Sequence, residues 1–314
     1  MIGGGAVSRP GGMTYSASRM GAPRFVRVLA SAAGLGFGPD SFAETRPSTL
    51  SPIVIGGCGR SGTTLLRMML DSHRRICCGP ESSLFRRRAL DPDALADRFG
   101  FPRAEVRAIH AAARSRQHFI VGFAALCMQK AGKSRWAEKT PRNIGRLEEI
   151  FRSFPKARFV HVLRDGRDVA CSLRTHPRHK VVDGKLVPIQ TWKPIVGCAQ
   201  RWVRDVEGSR RWWSDPRFRT VRYEELVLNP RPVLEELMAF LGEDWDEAML
   251  AHAAADSPFR DATRFAQNPE ALRAISSASI GRWRRDLDEQ DKRIFKRVAG
   301  PLLVELGYAT DESW

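Results

Sequence analysis

At 314 residues and 43% apolar content, the chain can bury one good core, or one core with an elaborated subdomain, and the composition excludes a fibrous or disordered protein. A formal net charge of +16 fits either solvated arginines on helix faces or an anionic ligand, acidic acceptor or nucleic acid, and the spread of the arginines along the chain weakens the nucleic-acid reading. No apolar run is long enough to span a bilayer, and the six cysteines (Cys58, Cys77, Cys78, Cys127, Cys171 and Cys198) form no C-x-x-C pair, so buried reduced thiols and a cytoplasmic location are expected.

Residues 1–48, rich in Gly, Ser, Pro and Arg, read as a flexible, partly helical extension preceding one domain over 49–314. A β-branched run at 53–56 predicts a strand, followed by a glycine-rich turn and a helix over about 61–72. A second short strand is expected at 77–81. Residues 91–130 are Ala- and Arg-rich with helical spacing, and 136–139 read as a short strand or turn ending at Thr140-Pro141. Helical intervals recur over 144–154, closed by Pro155. A buried-strand pattern, ARFVHVL, covers 157–163, with a turn at 164–166 and a helix opening at Asp168. The basic, aperiodic stretch 176–190 reads as a loop, and 191–213 as one long amphipathic helix. Beyond it come a strand at 218–221, helices at 233–241 and 246–252, an irregular stretch over 257–279 and a last helix at 290–306. Strands alternating with helices imply βαβ units and a parallel sheet covered on both faces, whose ligands sit at the carboxyl ends of the strands.

Two turns at such ends carry chemistry. The first is PIVIGGCGRSGTTLL, residues 52–66. Unpaired N–H groups of a glycine turn and the following helix start form an anion cradle, helped by the helix dipole. From Gly57 to Gly62 the spacing is that of a nucleoside-triphosphate P-loop, but Thr63 and Thr64 stand where that motif has Lys and Ser/Thr. The cation lies earlier, at Arg60. The loop therefore suits a 5′-linked phosphate-like group better than ATP with magnesium. Cys58, inside it, has no paired His to make it a nucleophile. The second turn is VLRDGRDVACSLR, where Arg164 and Ser172 either hold a second phosphate or merely cap and pair locally. His161, in mid-strand, reads as a core histidine, and Trp202, Trp212 and Trp213 as core or homodimer packing.

These residues resemble the sulfotransferases that use 3′-phosphoadenosine-5′-phosphosulfate, over roughly residues 52–309. Within that family they look most like the tyrosylprotein-sulfotransferase branch and its bacterial relatives, through Cys78-Gly79-Pro80-Glu81, Lys139 in EKTP, the segment 222–227 with Tyr223, the W-D-E-A of 245–248, Arg282-Trp283 and the L-x-x-L-G-Y of 303–308. The resemblance implies a P-loop-like three-layer α/β fold, with a central parallel sheet flanked by helices, and in-line sulfuryl transfer needing no metal. It implies that Glu81 is the general base, and that Arg60 and Lys139 stabilise developing charge. Arg60 with Ser61, Gly62, Thr63 and Thr64 would hold the 5′-phosphosulfate, Arg164 and Ser172 the 3′-phosphate, and Tyr223 and Arg282 the nucleotide. The product would be adenosine 3′,5′-bisphosphate.

The chain departs from the animal enzymes at Ser83, where they carry Arg, at Arg282, where they carry Lys, in the longer basic segment after Arg174, and in showing no amino-terminal anchor. The acceptor hydroxyl stays open among a peptide tyrosine, a sugar, a lipid headgroup and a small phenol. Basic residues 86–88 and 174–180 favour an anionic one, solvated charge being the competing reading. A small-molecule P-loop kinase and a non-catalytic basic nucleotide- or nucleic-acid-binding module are the alternatives, and the missing P-loop lysine and the retained Glu81 argue against them respectively.

Overall fold

The computed structural model describes residues 47–176, 178–182, 185–259, 274–311, 313 and 314; the expected extension 1–48 lies almost wholly outside them. In chain order the elements are β1 (Ile53–Gly56), α1 (Thr63–Ser72), β2 (Ile76–Cys78), α2 (Pro92–Phe99), α3 (Arg103–Ala112), α4 (Arg116–Ala131), β3 (Arg135–Lys139), α5 (Leu147–Ser153), β4 (Arg158–Leu163), α6 (Gly166–Arg174), β5 (Arg178–Val182), β6 (Lys185–Ile189), α7 (Ile195–Glu207), β7 (Phe218–Arg222), α8 (Tyr223–Leu228), α9 (Pro230–Leu241), α10 (Trp283–Asp286) and α11 (Glu289–Glu305). Five strands form one parallel sheet in the order β2-β3-β1-β4-β7.

The strands are apolar throughout because both faces are covered. Val54, Cys77, Trp136 and Phe159 pack into one core with α2, α4 and α5. Ile53, Ile55, Cys78, Val160 and Val162 face the other, with α1 and α9. A third cluster joins α6, α7 and α11. All six cysteines are buried and free.

Local chemistry explains most boundaries. Asp91 and Ser115 cap α2 and α4, accepting from Ala94 N at 2.9 Å and His118 N at 3.1 Å, while Gly100 and Gly132 end them in the left-handed conformation. The strand expected at 77–81 stops at Cys78, because Pro80 has no N–H to continue the ladder.

Three expectations are corrected. The helix read over 191–213 begins only at Ile195, since Pro194 sets the first turn, and it ends at Glu207, leaving Trp212 in a 3-10 turn. The loop read over 176–190 contains an antiparallel hairpin pairing β5 with β6, a two-stranded sheet whose mixed residues carry no readable alternation. The helix read over 246–252 is two 3-10 turns, Glu247–Met249 and His252–Ala254.

Candidate active site

The strand order decides where chemistry can occur. β1 lies between β3 and β4, and the chain leaves its carboxyl end into the glycine-rich loop. Lys139 ends β3, Arg164 follows β4, Tyr223 follows β7, and Glu81 lies three residues past β2. All five strands therefore deliver a predicted site residue at the same edge, as the topological switch point requires.

Glycine is obligatory at two points of the loop. A Cβ on Gly57, at φ +150°, would lie 2.4 Å from Val162 O, and one on Gly62, at φ +94°, would lie 2.2 Å from the Tyr223 ring. Arg60 adopts φ 78° between them, a strained conformation for a residue with a side chain. Gly62 starts α1, and no side chain caps that start, so its first N–H groups face outward as an anion site. Among the described residues the buried Ser61 hydroxyl has no hydrogen-bond partner, an orphaned polar atom at the base of the loop.

Most of the predicted residues are joined by contacts. Arg60 Nε donates to Ser172 Oγ at 2.9 Å, and Arg164 donates to Arg60 O at 3.1 Å. The Arg164 guanidinium lies 4.5 Å from the centre of the Tyr223 ring. Lys139 Nζ donates to Glu81 Oε1 at 2.8 Å and approaches Thr64 Oγ1 at 3.4 Å. Thr63 is buried at the start of the same helix. Arg282 stands apart: it pairs with Asp286 at 2.6 Å and touches none of the others.

The Lys139–Glu81 pair is asymmetric. The lysine side chain is 4% exposed and the glutamate 45%, so the carboxylate opens to solvent while its cation is enclosed. Burial pushes the Glu81 carboxyl up, but the Lys139 ammonium, its hydrogen bond, and the charges of Arg98 and His176 together hold it below the ordinary carboxylate value. Glu81 is thus ionised at neutral pH, as a base must be.

Several supporting residues escaped the sequence reading. Glu138, buried beside Lys139 on the opposite face of β3, accepts from Ser82 Oγ and Thr140 Oγ1, each at 2.6 Å, and from Asn143 Nδ2. Thr140 Oγ1 in turn accepts from Ser83 N at 3.1 Å. This network clamps the two residues after Glu81, and burial pushes the Glu138 carboxyl upward despite its three donors. On α1, Arg67 Nε donates to Cys78 O and Asp71 Oδ1 accepts from Cys78 N, fixing the end of β2 from which Glu81 projects. Trp202 Nε1 donates to Arg164 O at 3.1 Å, a supporting role rather than packing alone. The only signals for these roles were an acid beside a lysine in EKTP and paired charges on α1.

Other expectations resolve by environment. Burial, aided by nearby Asp205, pushes the Cys58 thiol far up, so it cannot supply a thiolate. His161 is buried, with Nδ1 3.3 Å from Thr220 Oγ1, and burial lowers it to about 4, which makes it a neutral core residue. Of the two basic segments, Arg174 is committed to Asp291 at 2.5 Å and Arg87 to Glu149 at 2.5 Å. Arg86 and Arg88 form no ion pair among the described residues. The side chains of 178–180 lie outside them.

The sequence is 25% identical over 275 residues to the protein-tyrosine sulfotransferase of Drosophila melanogaster, covering 82% of this chain and 51% of that protein. It is 25% identical over 265 residues to protein-tyrosine sulfotransferase 1 of Danio rerio, covering 82% and 72%, and 26% identical over 271 residues to the Homo sapiens enzyme of the same name, covering 82% and 69%. The chain thus spans about half the length of the fly relative and about seven tenths of the two vertebrate ones. Among solved structures, the sulfotransferase domain of the Synechococcus PCC 7002 olefin synthase superposes with a TM-score of 0.60 at 21% identity, covering 82% of this chain and 97% of that one. The sulfotransferase domain from the curacin biosynthetic pathway gives 0.61 at 18%, covering 82% and 98%. Mouse sulfotransferase SULT7A1 complexed with PAP gives 0.51 at 14%, covering 83% and 88%. At such identities the likeness establishes the fold: a P-loop-like α/β architecture with a central parallel sheet flanked by helices.

The relatives overturn the cytoplasmic location expected from the thiols, because protein-tyrosine sulfotransferases are Golgi membrane enzymes. The cysteines are reduced and buried here because they pack against the sheet and helices, which says nothing of compartment. Among the described residues no helix is long and apolar enough to cross a membrane. A model described as the sulfotransferase family matches residues 52–247, which hold the glycine-rich loop, Glu81, Lys139, Arg164, Ser172 and Tyr223, and the chain belongs to that family.

Proposed function

We propose that the domain over residues 49–314 transfers a sulfuryl group from 3′-phosphoadenosine-5′-phosphosulfate to the phenolic oxygen of a peptide tyrosine. The observation that carries this reading is the Glu81–Lys139–Thr64 chain: an ionised carboxylate and an enclosed ammonium at the open N-terminus of α1. The unpartnered Ser61 hydroxyl and the glycine cradle fit an anionic group there, and Arg164 with Ser172 supplies a second anion site joined to the first through Arg60.

When bound, the donor supplies the sulfuryl group and leaves as adenosine 3′,5′-bisphosphate. The protein's work is positioning and charge stabilisation. Arg60, Ser61, Gly62, Thr63 and Thr64 hold the 5′ end, Arg164 and Ser172 the 3′-phosphate, and Tyr223 and Arg282 the nucleoside side. Glu81 accepts the proton of the acceptor hydroxyl as its oxygen forms the new S–O bond. Lys139, released from Glu81 as the carboxylate takes that proton, counters charge on the bridging oxygen together with Arg60.

On the acceptor side, Arg98 Nη1 donates to Glu81 O at 2.7 Å, and a shallow hollow beside it is lined by Ser82, Ser83, Arg88, Arg98 and Arg116. Arg116 gathers the carbonyls of Leu84, Arg86 and Arg88, which fixes the backbone of this basic segment. Arg86 and Arg88, which form no ion pair among the described residues, support an acceptor with acidic flanks.

The test is sulfuryl transfer from labelled donor to tyrosine peptides, sugars, lipid headgroups and small phenols in parallel, together with binding of adenosine 3′,5′-bisphosphate against ATP–magnesium. Transfer to the tyrosine peptide, lost in Glu81→Gln, is expected. Tighter binding of ATP–magnesium would overturn the donor assignment, and transfer only to a sugar, lipid or phenol would overturn the acceptor.

A further inference from the structure

Segment 279–283 crosses the donor edge of the sheet. It is held there by contacts from residues more than fifty positions away. Arg164 Nη2 donates to Ser279 O at 2.5 Å, and the Tyr223 hydroxyl lies 2.7 Å from Ser279 Oγ. Between those anchors and α10, both oxygens of Asp168 are used: Oδ2 accepts from Gly281 N at 2.7 Å and Oδ1 from Trp283 N at 3.0 Å. The two N–H groups flank Arg282. The Asp168 carboxylate is enclosed, and it lies 3.9 Å from Nη2 of Arg164, four residues earlier and just before α6 begins. On the far side, the Arg167 guanidinium sits 4.0 Å from the Trp283 ring centre.

We infer that Asp168 is a positioning residue for donor binding: it ties the strap 279–283 over the nucleotide site and, through the same carboxylate, aims Arg164. The assignment rests on the proposed donor site. Asp168 touches no donor atom itself. It matters because a buried carboxylate accepting two main-chain N–H groups sets the strap's height with two directed bonds, and because its charge partly balances a guanidinium that would otherwise rotate toward other carbonyls. An amide in its place has one acceptor oxygen, so one of the two N–H groups would meet an NH₂ group instead of a partner.

The experiment measures binding of adenosine 3′,5′-bisphosphate and steady-state kinetics for the full chain and for Asp168→Asn. Asp168→Asn should bind the bisphosphate about tenfold or more weakly, as expected for losing hydrogen bonds to a charged group. Donor KM should rise in parallel, with acceptor KM and kcat at saturating donor little changed. A merely structural carboxylate would lower thermal stability without that split, and equal bisphosphate affinity in the two proteins would overturn the inference. If the unsubstituted chain binds no bisphosphate, the donor site itself is wrong. Should Asp168→Asn not fold, amide exchange in the unsubstituted chain decides: Gly281 and Trp283 N–H should be protected, and more so with bisphosphate, whereas exchange unaffected by bisphosphate would overturn the assignment.

Discussion

Arg60 and Ser172 stand 112 residues apart in the chain, and their side chains meet at 2.9 Å. That bond joins the glycine-rich loop to the helix after β4, so the proposed 5′ and 3′ halves of the donor site are one mechanical unit. Removing a preorganised charge donor costs about 10²–10³ in kcat, and Arg60→Ala is expected in that range. Ser172→Ala should weaken bisphosphate binding about tenfold. In a double-mutant cycle on bisphosphate affinity the two substitutions should couple by about 0.5 kcal/mol or more. Strict additivity would separate the two halves.

Glu81→Gln should lower kcat by about 10²–10⁴ while leaving bisphosphate affinity unchanged. The pH profile carries a second expectation. Because Glu81 is held below its ordinary value, with burial opposed by Lys139, Arg98 and His176, the acid limb of kcat/KM should fall below the usual glutamate range. Lys139→Ala removes the largest opposing charge and leaves burial, so the limb of the residual activity should move to higher pH. A limb that stays in place would show that Glu81 is not the titrating base.

Glu138→Ala leaves the Ser82, Thr140 and Asn143 donors without their acceptor. Each buried orphan costs about 1–3 kcal/mol, so a loss of several kcal/mol in chemical denaturation is expected. Glu138→Gln keeps one acceptor oxygen and should retain the fold. Its effect should appear in kcat rather than in donor KM, because the network clamps the residues after Glu81 and not the phosphate loop.

His161 supplies a stability test independent of activity. Burial lowers it from an ordinary 6.5 to about 4. Between those values the unfolded chain holds a proton that the folded chain does not, so stability increases with pH across this window and is lost on acidification. The slope from this one group approaches about 1.4 kcal/mol per pH unit. Denaturation midpoints followed from pH 7 to 4.5 should fall less steeply in His161→Gln; identical slopes would mean that the imidazole is protonated in the folded protein.

Short-range pattern in the sequence determined the strand Ile53–Gly56, its glycine turn and α1, because a buried strand, a phosphate cradle and an amphipathic helix each write their requirement into neighbouring residues. It also singled out Arg164, while Glu81, Lys139 and Tyr223 came one at a time from the family resemblance. Only the tertiary structure decided that these converge, since that depends on β3 and β4 flanking β1, and strand order is not encoded by local periodicity. The same long-range pairing removed Arg174 from the candidate anion site by giving it Asp291, and gave Asp168 and Glu138 their partners. The helix read over 191–213 failed where Pro194 overrode an apolar period, and the hairpin was illegible because its strands pair through backbone groups while their sequence shows no apolar alternation. Local chemistry chose the parts, and packing between residues a hundred positions apart chose which charges were free to act.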